Sequence, residues 1–288
     1  MTAKSDPALR DLLKHLELET REKDVFRGYS QLSRNGRIFG GSVFAQAMRA
    51  AAATVPSRRI NSAHSYFLRA GNPDLPIDFV VERIRDGRSF NTRRVTAHQD
   101  NIPIFELSAS FHIDESAEGH HAEIEIPAEP IGEEYEEGVR RALSGLGIEV
   151  SKEEFGVGPV QIRVEGGLDM VPGAHRKPEL RCWFRSRGPM PDDQGIHSAV
   201  LAWVSDLTIL VSSMHPMADR VMSPGVQSAS LDHSMWFHDA FRLDDWIYAV
   251  QDCPVFKGSR ALGRALFYSR DGQLVASAVQ EGLIRKSL

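Results

Sequence analysis

The sequence predicts an α+β protein built from two copies of one unit, each a single helix followed by an antiparallel meander. Three observations lead there. The same order of elements runs twice along the chain, the mark of an internal repeat. Alternating apolar and polar runs, broken at Asp86-Gly87, Asp100-Asn101 and Asp271-Gly272, spell strands joined by tight turns. The helix of the second copy is apolar on every face, so other elements must surround it.

Met1 to Val25 interleaves charges with leucines and reads as a short amphipathic helix, with neither a secretory apolar core nor a membrane span. The first copy opens on a strand-like run, Val25 to Ser30. Gly40-Gly41 then introduces an Ala-rich helix near Ser42 to Thr54, followed by His64-Ser65-Tyr66-Phe67. Strands are expected at about Pro76 to Arg85, Ser89 to Gln99 and Pro103 to His112. In the second copy Arg181 to Ser186 leads to a helix near His197 to Ser213, then to His233-Ser234-Met235-Trp236 at a strand start that includes Ser230. Strands about Trp246 to Gln251, Ala261 to Ser269 and Leu274 to Ile284 complete it. The offset from His64 to His233 is 233 − 64 = 169, and Asp100-Asn101 maps to Asp271-Gly272 at 170 or 171. A long curved sheet wrapped around one central helix is the hotdog fold. Two in one chain, sharing a continuous sheet, make a double hotdog.

With 42% hydrophobic and 25% charged residues among 288, the chain has material for an ordinary core, which excludes disorder as the dominant state. Net charge is 34 − 39 = −5, which lacks the basic field of nucleic-acid binders. Cys182 and Cys253 form no close pair, which excludes a disulfide framework and fits a reducing compartment. The C-terminal Lys286-Ser287-Leu288 resembles but does not match the peroxisomal Ser-Lys-Leu address. A cytoplasmic protein without membrane insertion is expected. From Asp114 to Glu154 thirteen acidic residues face three basic ones, which reads as a solvated connector with one short helix, Glu133 to Gly145. Eight arginines against four acids make Pro56 to Thr96 the most basic stretch. The expected division is residues 1–114, an acidic connector 115–158, and residues 159–288.

Familiar catalytic signatures are missing. Gly40-Gly41-Ser42-Val43-Phe44 lacks the closing glycine of a nucleophile elbow, and there is no H-E-x-x-H or P-loop. Gly156-Val157-Gly158 runs into Pro159, which no dinucleotide fingerprint does, and His120-His121 sits in the solvated connector. No cofactor or metal is implied. Asp206 stands out, alone in an apolar helix, because a carboxylate out of water must be hydrogen-bonded, partly wet or proton-shifted. Ser230 and Gln280 are similarly isolated polar residues, and each alone reads as structural.

Longer motifs carry a resemblance. The stretches Ser230-Leu231-Asp232-His233-Ser234-Met235-Trp236-Phe237-His238, Leu274 to Gly282, His64-Ser65-Tyr66-Phe67-Leu68-Arg69, Phe39-Gly40-Gly41 and Arg85 to Phe90 are similar to the acyl-CoA thioesterase II family. The resemblance covers nearly everything except the connector. It implies a double hotdog that hydrolyses acyl-CoA, with the family's Asp, Ser or Thr, and Gln set falling on Asp206, Ser230 and Gln280. Position 230 is Ser where the bacterial pattern has Thr, and both carry the hydroxyl. On that basis Asp206 takes a proton from a water held by Ser230 and Gln280.

Applying the repeat offset places Asn61 and Ser110 opposite Ser230 and Gln280, so one active site per chain is expected. The phosphates of the substrate need cations, for which Arg88, Arg93 and Arg94 are candidates, against the alternative of a solvated sheet face. His64 either lines the site or fixes a strand end. Exposed sheet edges favour a homodimer or homotetramer. Two other functions fit the fold: a hotdog enoyl-CoA hydratase, whose Asp and His signature is absent around Gly71-Asn72-Pro73-Asp74, and a non-catalytic acyl-CoA-binding module.

Overall fold

The computed structural model describes residues 6–30, 37–115, 118–145, 147–168, 170, 177–217 and 225–286, and the terminal Ser287 and Leu288 lie outside them. The first half holds α1 (Pro7–His15), β1 (Glu19–Glu22), β2 (Val25–Gly28), α2 (Gly40–Ala53), β3 (Arg59–Phe67), β4 (Ile77–Asp86), β5 (Phe90–Gln99) and β6 (Ile102–His112). After it come β7 (Glu133–Glu134), α3 (Tyr135–Ser144), α4 (Lys152–Phe155), β8 (Val160–Val164), β9 (Glu179–Ser186), α5 (Gln194–Thr208) and α6 (Val211–Met214). The chain closes with β10 (Val226–Ser230), β11 (Asp232–Phe237), β12 (Ile247–Lys257), β13 (Arg260–Ser269) and β14 (Leu274–Lys286).

The strands form one sheet in the order β1-β2-β4-β5-β6-β3-β11-β14-β13-β12-β9-β8-β7, with β10 also on β14. Read outward from the β3–β11 seam, the two halves repeat each other. Each is a meander flanked by an earlier strand and wrapped around its own helix, so the fold is the double hotdog. The seam is antiparallel, with His233 opposite Ser65 and Met235 opposite Ala63.

The register corrects the match of His64 to His233 by one residue. β3 and β11 end at Phe67 and Phe237, β4 and β12 begin at Ile77 and Ile247, and β5 and β13 begin at Phe90 and Arg260, all 170 apart. Because successive side chains on a strand face opposite sides, one residue changes everything. His64 therefore corresponds to Ser234 rather than to His233. His233 is fully buried beneath the helices, whereas His64 stands exposed on the outer face, edge-on to Trp236 at 5.1 Å.

The helices α2 and α5 lie side by side and antiparallel, with Gly41 at Asp206 at one end and Arg49 at Asp193 at the other. Gly40-Gly41 has a steric reason. A Cβ on Gly41 would fall 2.5 Å from the Trp203 carbonyl oxygen, so only glycine permits this approach. All of Ala199 to Val204 is buried, as an all-round apolar helix requires. The stretch Gln194–Met214 is long and apolar enough to cross a membrane, and 78% of its best window is buried inside the protein. The expected single helix to Ser213 is two, because Ser212 and Ser213 hydroxyls turn back onto the carbonyls of Ile209 and Leu210 and tighten the chain.

The acidic stretch is less detached than its charge predicts. Residues 118–132 carry no helix or strand, but Ile124 and Ile126 pack over Trp183, Trp246, Tyr248 and Tyr268 on the outer face of the second half. β7 pairs with β8, and α3 docks through the Tyr135 hydroxyl, which donates to Leu207 O at 3.4 Å. The carboxylates find partners. Glu133 pairs with Arg141, Glu136 with Arg187 at 3.1 Å, and Glu137 with Arg140 at 2.7 Å and Lys152 at 2.5 Å. Much of the local charge is thereby answered by arginines and a lysine.

Candidate active site

Asp206 lies in the last turn of α5, on the flank of that helix that meets the start of α2. Its side chain is 4% exposed. Gln280 is fully buried in the middle of β14. Ser230 ends β10 rather than starting a strand, and the reason is a slip on β14. Ser230 pairs with Gly282, but Ser234 pairs with Val279, so one residue of register is lost between them. The chain breaks at Leu231, and Ser230 turns toward Asp206.

All three side chains meet. The Ser230 hydroxyl donates to Asp206 Oδ1 at 3.0 Å, Gln280 Nε2 donates to the same oxygen at 2.5 Å, and Gln280 Nε2 also lies 2.8 Å from Ser230 Oγ. A fourth group comes from the other repeat. The Gly41 amide donates to Asp206 Oδ2 at 2.7 Å, and the N-cap residue of α2, Phe39, offers no competing side-chain acceptor. The fifth is His233, whose Nδ1 stands 3.7 Å from Oδ1. Burial pushes the Asp206 carboxyl up, but the His233 ring, then Gln280 and Ser230, outweigh it and hold the group below the usual carboxylate range. Asp206 is thus a buried carboxylate that stays ionised near neutrality.

Asp206 and Ser230 open on a cavity of about 720 Å³ at the junction of the two halves. Apolar wall comes from Val43, Phe67 and Phe105 of the first half and Leu207, Leu210 and Met214 of the second, and polar wall from Gln227, Ser228 and Ser230. Exposed Arg37 and Arg69 also line it. An ionised carboxylate with a hydroxyl and an amide on one of its oxygens, a partly apolar chamber and two cations together suit an amphiphilic anion.

The other predicted residues lie elsewhere. Arg93 is 1% exposed and already committed, to Thr54 Oγ1 at 2.8 Å, Asp86 at 2.5 Å and the carbonyls of Arg85 and Thr92. A guanidinium so enclosed has no free face for a phosphate. Arg94 is exposed on β5 between Glu82 and Glu106, and Arg88 is in the β4–β5 turn. Neither they nor His64 line the cavity of Asp206. Sequence reasoning missed Gly41, His233 and Arg69 although all three lie in the quoted motifs. Arg37 had no such signal.

The opposite end of the helix pair shows why the polar cluster occurs once among the described residues. With the helices starting at Gly40 and Gln194, Asp206 corresponds to Ala52, while the strand register matches Ser230 to Ile60 at an offset of 170 and, because β14 lies one residue further from β6 (280 − 109 = 171), Gln280 to Ala109. These replace the Asn61 and Ser110 given by the sequence offset. The cleft there, about 410 Å³, has Ala52 and Ile60 in its lining. The start of α5 is capped by its own Asp193, which accepts from Gly195 N at 2.8 Å.

Fold and site define a hotdog hydrolase acting on thioesters. The family model described as acyl-CoA thioesterase matches residues 152–283, and that described as acyl-CoA thioesterase N-terminal domain matches residues 30–112. The chain is 34% identical over 282 residues to acyl-CoA thioesterase 2 of Haemophilus influenzae, covering 97% of this chain and 98% of that protein. It is 33% identical to human acyl-coenzyme A thioesterase 8, covering 94% and 87%. The crystal structure of acyl-CoA thioesterase II TesB2 from Mycobacterium marinum superimposes with a TM-score of 0.77 at 34% identity, covering 96% and 98%. The protein belongs to the acyl-CoA thioesterase II family. A dehydratase domain of the curacin polyketide synthase, at 12% identity and TM-score 0.55, shares the fold alone.

Proposed function

We propose that the protein hydrolyses fatty acyl-CoA to free fatty acid and CoA, with Asp206 as general base and Ser230 and Gln280 holding the attacking water. The observation that supports this most is the convergence of Ser230 and Gln280 on one oxygen of a buried, ionised carboxylate beside a partly apolar cavity. In the reaction Ser230 and Gln280 turn from Asp206 to the water, whose oxygen attacks the thioester carbonyl carbon as its proton passes to Asp206. Collapse of the tetrahedral intermediate breaks the C–S bond. The thiolate leaves readily, since a thiol of reference pKa about 8.5 is a good leaving group, and takes up the proton from Asp206. The developing oxyanion needs donors, a role this reading gives to the amide of Gly40, a residue that begins α2 and lines the cavity. Arg37 and Arg69 pair with the phosphates in place of Arg88, Arg93 and Arg94.

The test follows free thiol and enoyl absorbance while the protein is incubated with saturated and 2-enoyl CoA esters. Thiol release from saturated esters, abolished in a folded Asp206→Ala variant, is expected. Loss of enoyl absorbance without thiol indicates a hydratase, and no change in either indicates a binding module. Self-association into a homodimer or homotetramer is expected through the outer sheet face, where Tyr66 and Trp236 are exposed at 63% and 36%. Light scattering on a sizing column reads it.

A further inference from the structure

His233 has no place in the proposed reaction, yet of its two ring nitrogens one has a hydrogen-bond partner and the other has none. It is fully buried, its ring centroid lies 4.9 Å from that of Phe44, and its carbonyl accepts from Ser65 Oγ at 2.9 Å. Nε2 lies 3.2 Å from Ser205 Oγ, and that hydroxyl has a second partner in Ala202 O at 2.9 Å. Ser205 therefore serves Nε2 as either donor or acceptor. Nδ1 is buried with no hydrogen-bond partner and faces Asp206 Oδ1 across 3.7 Å. Were Nδ1 bare, a lone pair would confront a carboxylate oxygen in a water-poor site. Only a proton on Nδ1 makes this approach favourable.

We propose that His233 is a positioning residue for Asp206, directing an Nδ1–H at Oδ1 so that the carboxylate keeps a donor when Ser230 and Gln280 turn to the water. Oδ1 now accepts from both Ser230 and Gln280, and only Oδ2 is held independently, by Gly41. A buried carboxylate that gives up two donors at once swings or takes a proton from elsewhere. A small approach of the imidazole from 3.7 Å to hydrogen-bond distance prevents both. The charged groups whose fields meet at His233 are Asp206 on α5 and its chain neighbour Asp232. Around it α2, β3 and β14 present Phe44, Ser65 and Gln280, which carry no charge.

The inference rests on Asp206 being the base, and the experiment separates the two. The amide nitrogen of asparagine falls near Nδ1 and that of glutamine near Nε2, so His233→Asn keeps the donor to Asp206 and His233→Gln loses it. Expected in His233→Gln is a fall of about tenfold or more in kcat, with KM little changed. The acid limb of its kcat/KM profile moves to higher pH, because Asp206 loses the neighbour that holds it ionised. His233→Asn recovers most of the rate and the original limb. Ser205→Ala, which releases the far side of the ring, gives a smaller loss with the same direction of shift and serves if His233→Gln does not fold. Equal losses in both His233 variants with an unmoved limb mean packing alone and overturn the inference, as do wild-type rates. Asp206→Asn is assayed alongside. If it stays active the base assignment fails and carries this inference with it, whereas an inactive Asp206→Asn beside a wild-type His233→Gln sinks this inference alone.

Discussion

The amide of Gly41, in the first repeat, donates to Oδ2 of Asp206, in the second, at 2.7 Å. The Asp206 carboxylate is thus bound to the helix start of the other unit, where the positive end of the helix dipole favours negative charge. Neither hotdog unit by itself contains the site.

Gly41→Ala tests this junction. The added Cβ meets the Trp203 carbonyl at 2.5 Å, which only a shift of α2 against α5 relieves. Overpacking of this kind costs about 1–3 kcal/mol. A lowered melting temperature is expected together with a lowered kcat, and thermal unfolding alongside an assay of thiol release reads both. Unchanged stability would show that the helices are free to move apart.

In the proposed reaction Ser230 and Gln280 act through a hydroxyl and an amide, so replacements that keep those groups are expected to be mild. Ser230→Thr retains activity within a few fold. Gln280→Ala, which removes the donor shared by Asp206 and Ser230, lowers kcat by roughly 10²-fold, the scale of losing one preorganised donor. Single-turnover rates check this, and a wild-type rate in Gln280→Ala would remove it from the reaction.

Acid sensitivity has a definite sign. Burial raises the Asp206 carboxyl, but His233, Gln280 and Ser230 together hold it below 3.8 in the folded protein. Its ionised form therefore favours the folded state above pH 3.8, and that contribution is lost as pH falls through the lower folded-state value. Comparing urea unfolding of the wild type and Asp206→Asn, the wild-type advantage is expected to be complete near neutrality and to shrink only in strong acid. An advantage that grows on acidification contradicts the assignment.

Arg93 and Arg69 are expected to separate structure from binding. Arg93 anchors Thr54 and Asp86 from a fully buried position, so Arg93→Ala lowers stability by about 2–4 kcal/mol and leaves KM unchanged. Arg69 is exposed at the cavity, where its guanidinium donates to Pro103 O at 2.7 Å, so Arg69→Ala raises KM severalfold with little effect on stability. Steady-state kinetics at two salt concentrations, paired with melting curves, distinguish them. The reverse pattern would return the phosphates to Arg93.

The sequence alone carries the repeat, the enclosed helix, the hairpin turns and the lone Asp206, because each is a local departure from composition or period, whereas Ser230 and Gln280 are joined to Asp206 only by the family resemblance. Alternation marks a strand, an all-apolar helix demands enclosure, and a lone aspartate within it demands partners. What pattern cannot carry is register. The His-Ser pairs at 64 and 233 lie 169 apart, while the strands that carry them, β3 and β11, superimpose at 170, and that one residue decides that His233 faces Asp206 and His64 faces outward. The same holds for Arg93, which a run of alternating arginines presents as a surface residue. Only the approach of Thr54 and Asp86 from other elements shows it to be internal. Composition and period along the chain determined that two helices would be wrapped by one sheet and that Asp206 would stand out, and the family resemblance added Ser230 and Gln280. The antiparallel contact of those helices decided where the site lies, because Gly41 and Asp206 are 165 residues apart and only packing brings an amide of one repeat to the carboxylate of the other.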